Sequence, residues 1–289
     1  MPPADSPGFA LDLPASRARP GLFRRSLRLL LLVPVGFFLW LWFVWPPPAW
    51  YRFAFPRHTS FMSMREAERE RAGQGGGTRL YQPVRLERIA PVMKTAVLVA
   101  EDHRFYDHHG LDFVELRRAL GYPRDSFSLG SGRDRRDLQA ALSRAWSRRD
   151  RLRGASTITQ QLAKNLYLTS SRNPLRKVKE AVTAWRLEYW LGKERILELY
   201  LNVVELGPGV WGVEAASRKY FRRPALRLGL SEAAALAGSL PFPLKSNPAY
   251  RPARMRWRQA LIMRRLRGEL AEVPRIPEEP PDLPVVLPE

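Results

Sequence analysis

Apolar residues crowd one end of this chain and then thin into patterned stretches. From Leu29 to Tyr51 no residue is charged, and Leu29 to Trp45 is apolar on every helical face. A spanning helix needs roughly 20 apolar residues, so the run predicts a transmembrane helix over 29–50. Trp40, Trp42, Trp45 and Trp50 gather toward its end, as an interfacial aromatic belt does. Arg17, Arg19, Arg24, Arg25 and Arg28 precede it. By the positive-inside rule they leave a cytoplasmic tail over 1–28 and an exported remainder. A cleaved signal peptide is the rival reading. The run is longer than a usual signal core, and Pro46-Pro47-Pro48 stands where a small-residue cleavage site belongs.

Residues 51–79 read as a juxtamembrane linker and 80–271 as the folded domain. Ile89, Val92, Met93, Ala96, Val97 and Ala100 recur at helical spacing, which places Glu101 at a helix end. Residues 121–153 break the pattern. They are polar and basic, and read as an insertion, helical from Leu138 to Trp146. Thr157 is the expected N-cap of the next helix, with Gln160 as its capping-box partner. Asn173-Pro174 opens a helix to Leu191, expected to bury Leu175, Val178, Val182, Trp185 and Tyr189. Lys193 to Val204 forms another, Gly207-Pro208-Gly209 a turn, and a helix follows through Tyr220. Ser231 is expected to cap an Ala-rich helix to Ser239, and 250–271 carries a last basic helix before a Pro/Glu-rich tail over 272–289. With no strand alternation and no repeat, the fold class is mainly α.

Composition narrows the partners. The 289 residues suffice for one large domain and an anchor. Lys and Arg number 48 against 28 Asp and Glu, a net charge of +20 that attracts polyanions. Arg suits bidentate phosphate recognition, although a GC-rich genome gives the same bias. An exported position argues against nucleic acid and leaves anionic headgroups and lipid-linked phosphates. With 0 Cys there is no disulfide, thiolate metal site or cysteine nucleophile.

Three segments carry candidate chemistry. Glu101 and Asp102 end an apolar helix, where a carboxylate at a cleft wall serves as a general base; the plainer role is pairing with Arg104 or backbone donors. Glu180 is crowded by Arg172, Arg176, Lys177 and Lys179. Such a cluster holds a pyrophosphate, with the acid orienting the cations or binding a metal; the plainer role is a surface pair four residues apart. Ser156 and Thr157 open a helix whose first N–H groups suit an anion as well as a cap. Lys164, further along that helix, joins the cluster if the two helices pack.

These segments resemble the peptidoglycan glycosyltransferases, glycosyltransferase family 51, in the monofunctional membrane-anchored form. The pattern E-D-x-x-F-x-x-H-x-G is met by Glu101, Asp102, Phe105, His108 and Gly110. The pattern G-x-S-T-I-T-Q-Q-x-x-K-N is met from Gly154 through Ser156, Thr157, Gln160, Gln161, Lys164 and Asn165, and R-K-x-x-E by Arg176, Lys177 and Glu180. Arg195 to Asn202, Gly207 to Phe221, and Leu236 to Pro241 continue the match, which covers residues 80 to 250.

The resemblance implies a lysozyme-like helical domain that polymerises glycan strands from lipid II, a hexosyltransferase of the bacterial plasma membrane with its catalytic domain outside the cytoplasm. Glu101 would take the proton of the acceptor's GlcNAc 4-hydroxyl. That oxygen would attack C1 of the growing chain's MurNAc with inversion, releasing undecaprenyl pyrophosphate. Lys164, Arg172, Arg176, Lys177, Lys179 and Arg118 would meet the leaving group's charge. Glu180 would bind Mg2+ or Mn2+ or orient those cations. Asp102, Phe105, His108, Ser156, Thr157, Gln160, Gln161 and Asn165 would complete the substrate site. Expected partners are lipid II, the lipid-linked glycan chain, an anionic membrane surface and cell-wall synthesis proteins.

The basic 121–153 stretch makes the gap between the first two motifs longer than the family's usual one. No lysine has a serine three residues before it, so the transpeptidase of larger relatives is not expected. A lysozyme-like lytic enzyme and a membrane-tethered basic scaffold binding wall or lipid anions are the rivals; the first has no use for the cations around Glu180, and Glu101→Gln discriminates the second.

Overall fold

The computed structural model describes residues 32–40, 42, 48–73, 78–123, 128, 130–147, 156–167 and 175–269. The chain divides into residues 1–44 and 45–289. In the first unit, residues 32–39 are helical. Among the described residues no helix is long and apolar enough to cross a membrane. Much of the expected span, together with both tails, Arg172 and the Asn173-Pro174 start signal, lies outside the described residues.

The second unit is mainly helical. Its helices are α1 (Ser60–Arg71), α2 (Pro91–Glu101), α3 (Phe113–Leu120), α4 (Gly132–Ser147), α5 (Ile158–Tyr167), α6 (Leu175–Leu191), α7 (Lys193–Val203), α8 (Val213–Phe221), α9 (Leu230–Ser239) and α10 (Ala253–Leu266). The core is built around α7. From Ile196 to Val203 every residue is buried, the signature of a helix enclosed on all sides. Each fully buried Leu or Ile contributes about 1.5–3 kcal/mol. The polar residues of α7 pin the segment before α2: Glu198 accepts the N–H of Leu86 at 2.6 Å, and Asn202 accepts from Val84 N and donates to Val84 O at 2.8 and 2.9 Å. That segment leads into α2, which packs against α9 and α10, while α5 packs against α6 and α7.

Several expectations change. The 51–79 stretch is not simply a linker: it holds α1, capped by Thr59, with Met62 fully buried. α1 escapes a periodicity search because its second half, from Arg65 to Arg71, is charged at every position but Ala67. A small sheet is also present, with β1 (Leu80–Tyr81) parallel to β3 (Val210–Trp211) and β2 (Glu205–Gly207) antiparallel to it. Strands of two or three residues are too short to show alternation. The inserted helix begins at Gly132, earlier than Leu138. The Ala-rich helix is capped at Gly229, whose N–H is accepted by Glu232, so Ser231 lies inside it.

The buried face of α6 also differs. Val182 is buried as expected, but Val178, Trp185 and Tyr189 are exposed. The inward face carries Glu180, Thr183, Ala184, Arg186 and Leu187 instead. Polar residues on the inner side misdirect a search for apolar spacing.

Candidate active site

Glu101 is the last residue of α2, its side chain 13% exposed. Oε2 accepts from Gln161 Nε2 at 3.1 Å, and Gln161 Oε1 accepts from the Tyr200 hydroxyl at 2.9 Å. Burial, with the charges of Glu101 and Asp102 behind it, pushes the Tyr200 hydroxyl well above its usual range, against Arg258. Tyr200 therefore stays protonated and donates, which fixes the Gln161 amide with its nitrogen toward Glu101.

Asp102 faces the other way. It is 2% exposed, accepts from His108 Nε2 at 3.1 Å, and takes the N–H of Ile158, at the start of α5, at 2.9 Å. A carboxylate there satisfies an orphan donor and complements the helix dipole. Thr157 and Gln160 form the expected capping box: Gln160 N donates to Thr157 Oγ1 at 3.2 Å and Thr157 N to Gln160 Oε1 at 3.0 Å. The Thr157 hydroxyl also donates to the Gly110 carbonyl at 2.6 Å. Gly110 has φ 89°, and a Cβ there would lie 3.2 Å from the Ala184 backbone. Only glycine lets the loop turn and touch α6.

The cations converge from α5 and α6. Glu180 is 1% exposed, paired with Arg176 at 3.2 Å and Lys177 at 2.5 Å. Burial holds the Lys164 ammonium below the usual lysine range; Glu180 opposes this, Lys177 and Arg176 reinforce it, and Glu101 opposes it. Lys164 thus lies in the field of both carboxylates and of both cations on α6. Its Nζ stands 5.7 Å from the Phe61 ring centroid of α1.

Glu101 is thus held against Gln161, Arg176 and Lys177 against Glu180, and the helix that carries Gln161 and Lys164 packs on the one that carries Glu180. Asp102, Phe105, His108, Thr157, Gln160 and Asn165 are buried. Asp102, Thr157 and Gln160 spend polar atoms on neighbouring side chains and on backbone, whereas His108 meets Asp102 through Nε2 and leaves its buried Nδ1 without a hydrogen-bond partner among the described residues. Phe105 packs under Lys193, whose Nζ is 4.4 Å from its centroid. Ser156 is partly exposed beside the cap, and Lys179 is half-buried on α6. Arg118 is exposed on α3 and pairs with Glu115 at 2.7 Å. Arg172 lies outside the described residues.

The sequence reading missed Arg258, whose Nη2 donates to Glu101 Oε1 at 3.0 Å. Its signal is its place on the inward stripe of α10, between Met255 and Ile262.

A divalent cation suits a glycosyltransferase, and among the described residues the carboxylates that could hold one already have hydrogen-bond partners. Both Glu180 oxygens already meet cations. Asp102, His108 and Asp112 bring ligand atoms within 4.8 Å of one another. Asp102 is taken by His108 and Ile158, and Asp112 by Val114 N, Glu115 N and Arg104.

The transglycosylase family model matches residues 69–125 and 124–267. The chain belongs to the transglycosylase family. It is 39% identical to a protein of Bordetella pertussis named biosynthetic peptidoglycan transglycosylase, over 78% of this chain and 84% of the relative. A protein of the same name from Azoarcus sp. strain BH72 is 40% identical, over 82% and 92%. One from Shewanella amazonensis is 45% identical, over 61% and 64%. The family model spans α2 and α5 to α7, so the elements that carry Glu101, Lys164 and Glu180 all lie within the family region.

Proposed function

We propose that this chain is a peptidoglycan glycosyltransferase that polymerises glycan strands from lipid II. Family membership and the curated relatives' name support the activity. The observation that carries its assignment to these residues is Lys164, placed in the electrostatic reach of Glu101, Glu180, Arg176 and Lys177 together.

In this reading Glu101 takes the proton of the GlcNAc 4-hydroxyl as that oxygen bonds to C1 of the growing chain's MurNAc. The bond from C1 to the phosphate oxygen breaks with inversion, and the electron pair leaves on undecaprenyl pyrophosphate. A pyrophosphate departs without a strong acid, so the main demand is for fixed positive charge where negative charge develops. Lys164, Arg176 and Lys177 supply it, with Arg172 and Lys179 beside them on the same stretch of sequence. Glu180 holds Arg176 and Lys177 in place. Arg118, exposed on α3 and paired with Glu115, is a further cation for the developing negative charge.

We place the domain outside the cytoplasm, tethered to the plasma membrane by the apolar 29–50 segment as a single-pass anchor with a cytoplasmic tail. Lipid II and the lipid-linked chain are its substrates, and cell-wall synthesis proteins are its candidate partners. Incubation of the full chain with lipid II in vesicles tests the reading. Long glycan strands are expected; soluble muropeptides cut from finished wall would point to a lytic enzyme.

A further inference from the structure

Arg258 is a guanidinium in the protein interior, its side chain 3% exposed. Nη2 donates to two acceptors at the end of α2, the Ala100 carbonyl and Glu101 Oε1, each at 3.0 Å. Nε, also buried, has no hydrogen-bond partner. Burying a charge is costly, and an apolar side chain of similar volume often serves stability as well or better. An incompletely satisfied arginine at this position therefore needs a reason other than packing.

The backbone brings it there by close approach. A Cβ on Gly238 of α9 would lie 2.9 Å from the Met255 carbonyl and 3.2 Å from Gln259 N of α10. The missing side chain lets α10 settle against α9, and both pack on α2. Arg258 is carried by this contact to the last turn of α2.

A glutamate at a helix end has free torsions and samples several orientations. Here each carboxylate oxygen has its own donor, Gln161 on Oε2 and Arg258 on Oε1. The Arg258 contact runs from one nitrogen to one oxygen, so it orients the group without enclosing it. We propose that Arg258 is a positioning residue for glycosyl transfer, fixing the plane of the Glu101 carboxylate so that it meets the acceptor hydroxyl in one orientation. The inference rests on the assignment of Glu101 as the base.

The test compares wild type, Arg258→Met, Arg258→Lys and Glu101→Gln as full chains in vesicles, measuring kcat and KM for lipid II together with melting temperature. Misplacing a reacting group by about 1 Å can cost 10²-fold. Arg258→Met is expected to lose about that much in kcat with KM little changed, read well below a melting temperature that itself falls because a buried ion pair loses one partner. Arg258→Lys, which keeps the charge but replaces the rigid planar guanidinium with an ammonium on a flexible stem, is expected to recover about tenfold of the loss. If Arg258→Met does not fold, Arg258→Lys decides, with a kcat about tenfold below wild type at unchanged KM. Wild-type kcat in these variants, with Glu101→Gln inactive, would overturn the positioning role and leave Glu101 as the base. A kcat that falls only in step with melting temperature, without recovery by lysine, would reduce Arg258 to a structural tie. Full turnover by Glu101→Gln would instead remove the assignment on which the inference stands.

Discussion

Burial works against the Lys164 ammonium, and Glu180 is the strongest influence that keeps it charged. The sign of the consequence follows. Because the folded chain binds this proton less tightly than the unfolded one, the unfolded chain holds more protons between the lowered value and 10.5, and stability rises with pH across that window. Turnover moves the opposite way, since a neutral amine no longer meets the pyrophosphate. The alkaline limb of the pH profile of kcat/KM, which reports the free enzyme, is therefore expected below the range of an ordinary lysine. Lys164→Arg should carry that limb upward, because arginine stays protonated there. An unchanged limb would assign it to another group. Glu180→Gln is expected to lower kcat by tenfold or more by loosening Arg176 and Lys177; breaking a buried ion pair costs about 3–5 kcal/mol, so a chemical melt run alongside separates the local loss from unfolding.

At the scale of elements, the loop after α2 is held by a few contacts that each make a prediction. Gly110→Ala forces a side chain into φ 89° and toward the Ala184 backbone. It should destabilise the domain by about 1–3 kcal/mol, read as a lower urea midpoint. Thr157→Val removes a cap and the hydroxyl bond to Gly110, and should cost about 0.5–2 kcal/mol. These same elements show what a sequence can and cannot reveal. The Thr157–Gln160 box was legible because capping chemistry is local. Glu101, Lys164 and Glu180 were legible as unusual residue types at helix ends and in a cationic crowd. The outward turn of Val178, Trp185 and Tyr189 was not, because the inner face of α6 is filled by Glu180, Thr183 and Arg186. Arg258 was hidden as one arginine in a basic helix, and only its partner across the fold gives it meaning. The short strands and α1 depend on contacts that no local pattern announces.

The whole molecule combines a family domain with a strong positive charge. The net +20 is far more than the few cations near Glu180 require. The 121–153 insertion holds nine Arg against four Asp, +5 of that excess, and its helix α4 presents Arg133, Arg135 and Arg136 at the surface. Each cation near an anionic bilayer contributes about 1 kcal/mol. Deleting residues 125–150 should weaken binding to anionic vesicles and leave binding to neutral ones unchanged, as measured by co-sedimentation. Equal binding before and after deletion would remove the insertion from the membrane contact.

The central claim is that Glu101, working beside the Lys164–Arg176–Lys177 cluster, drives glycan polymerisation from lipid II. The most direct measurement counts undecaprenyl pyrophosphate released and glycosidic bonds formed by wild type and Glu101→Gln in the same vesicles. Wild type should release one pyrophosphate for each bond formed. A positioned general base supplies about 10²–10⁴-fold, and Glu101→Gln should lose that much of both products while remaining folded at the assay temperature. Equal product from the folded variant, or bond cleavage without pyrophosphate release by the wild type, would contradict the account.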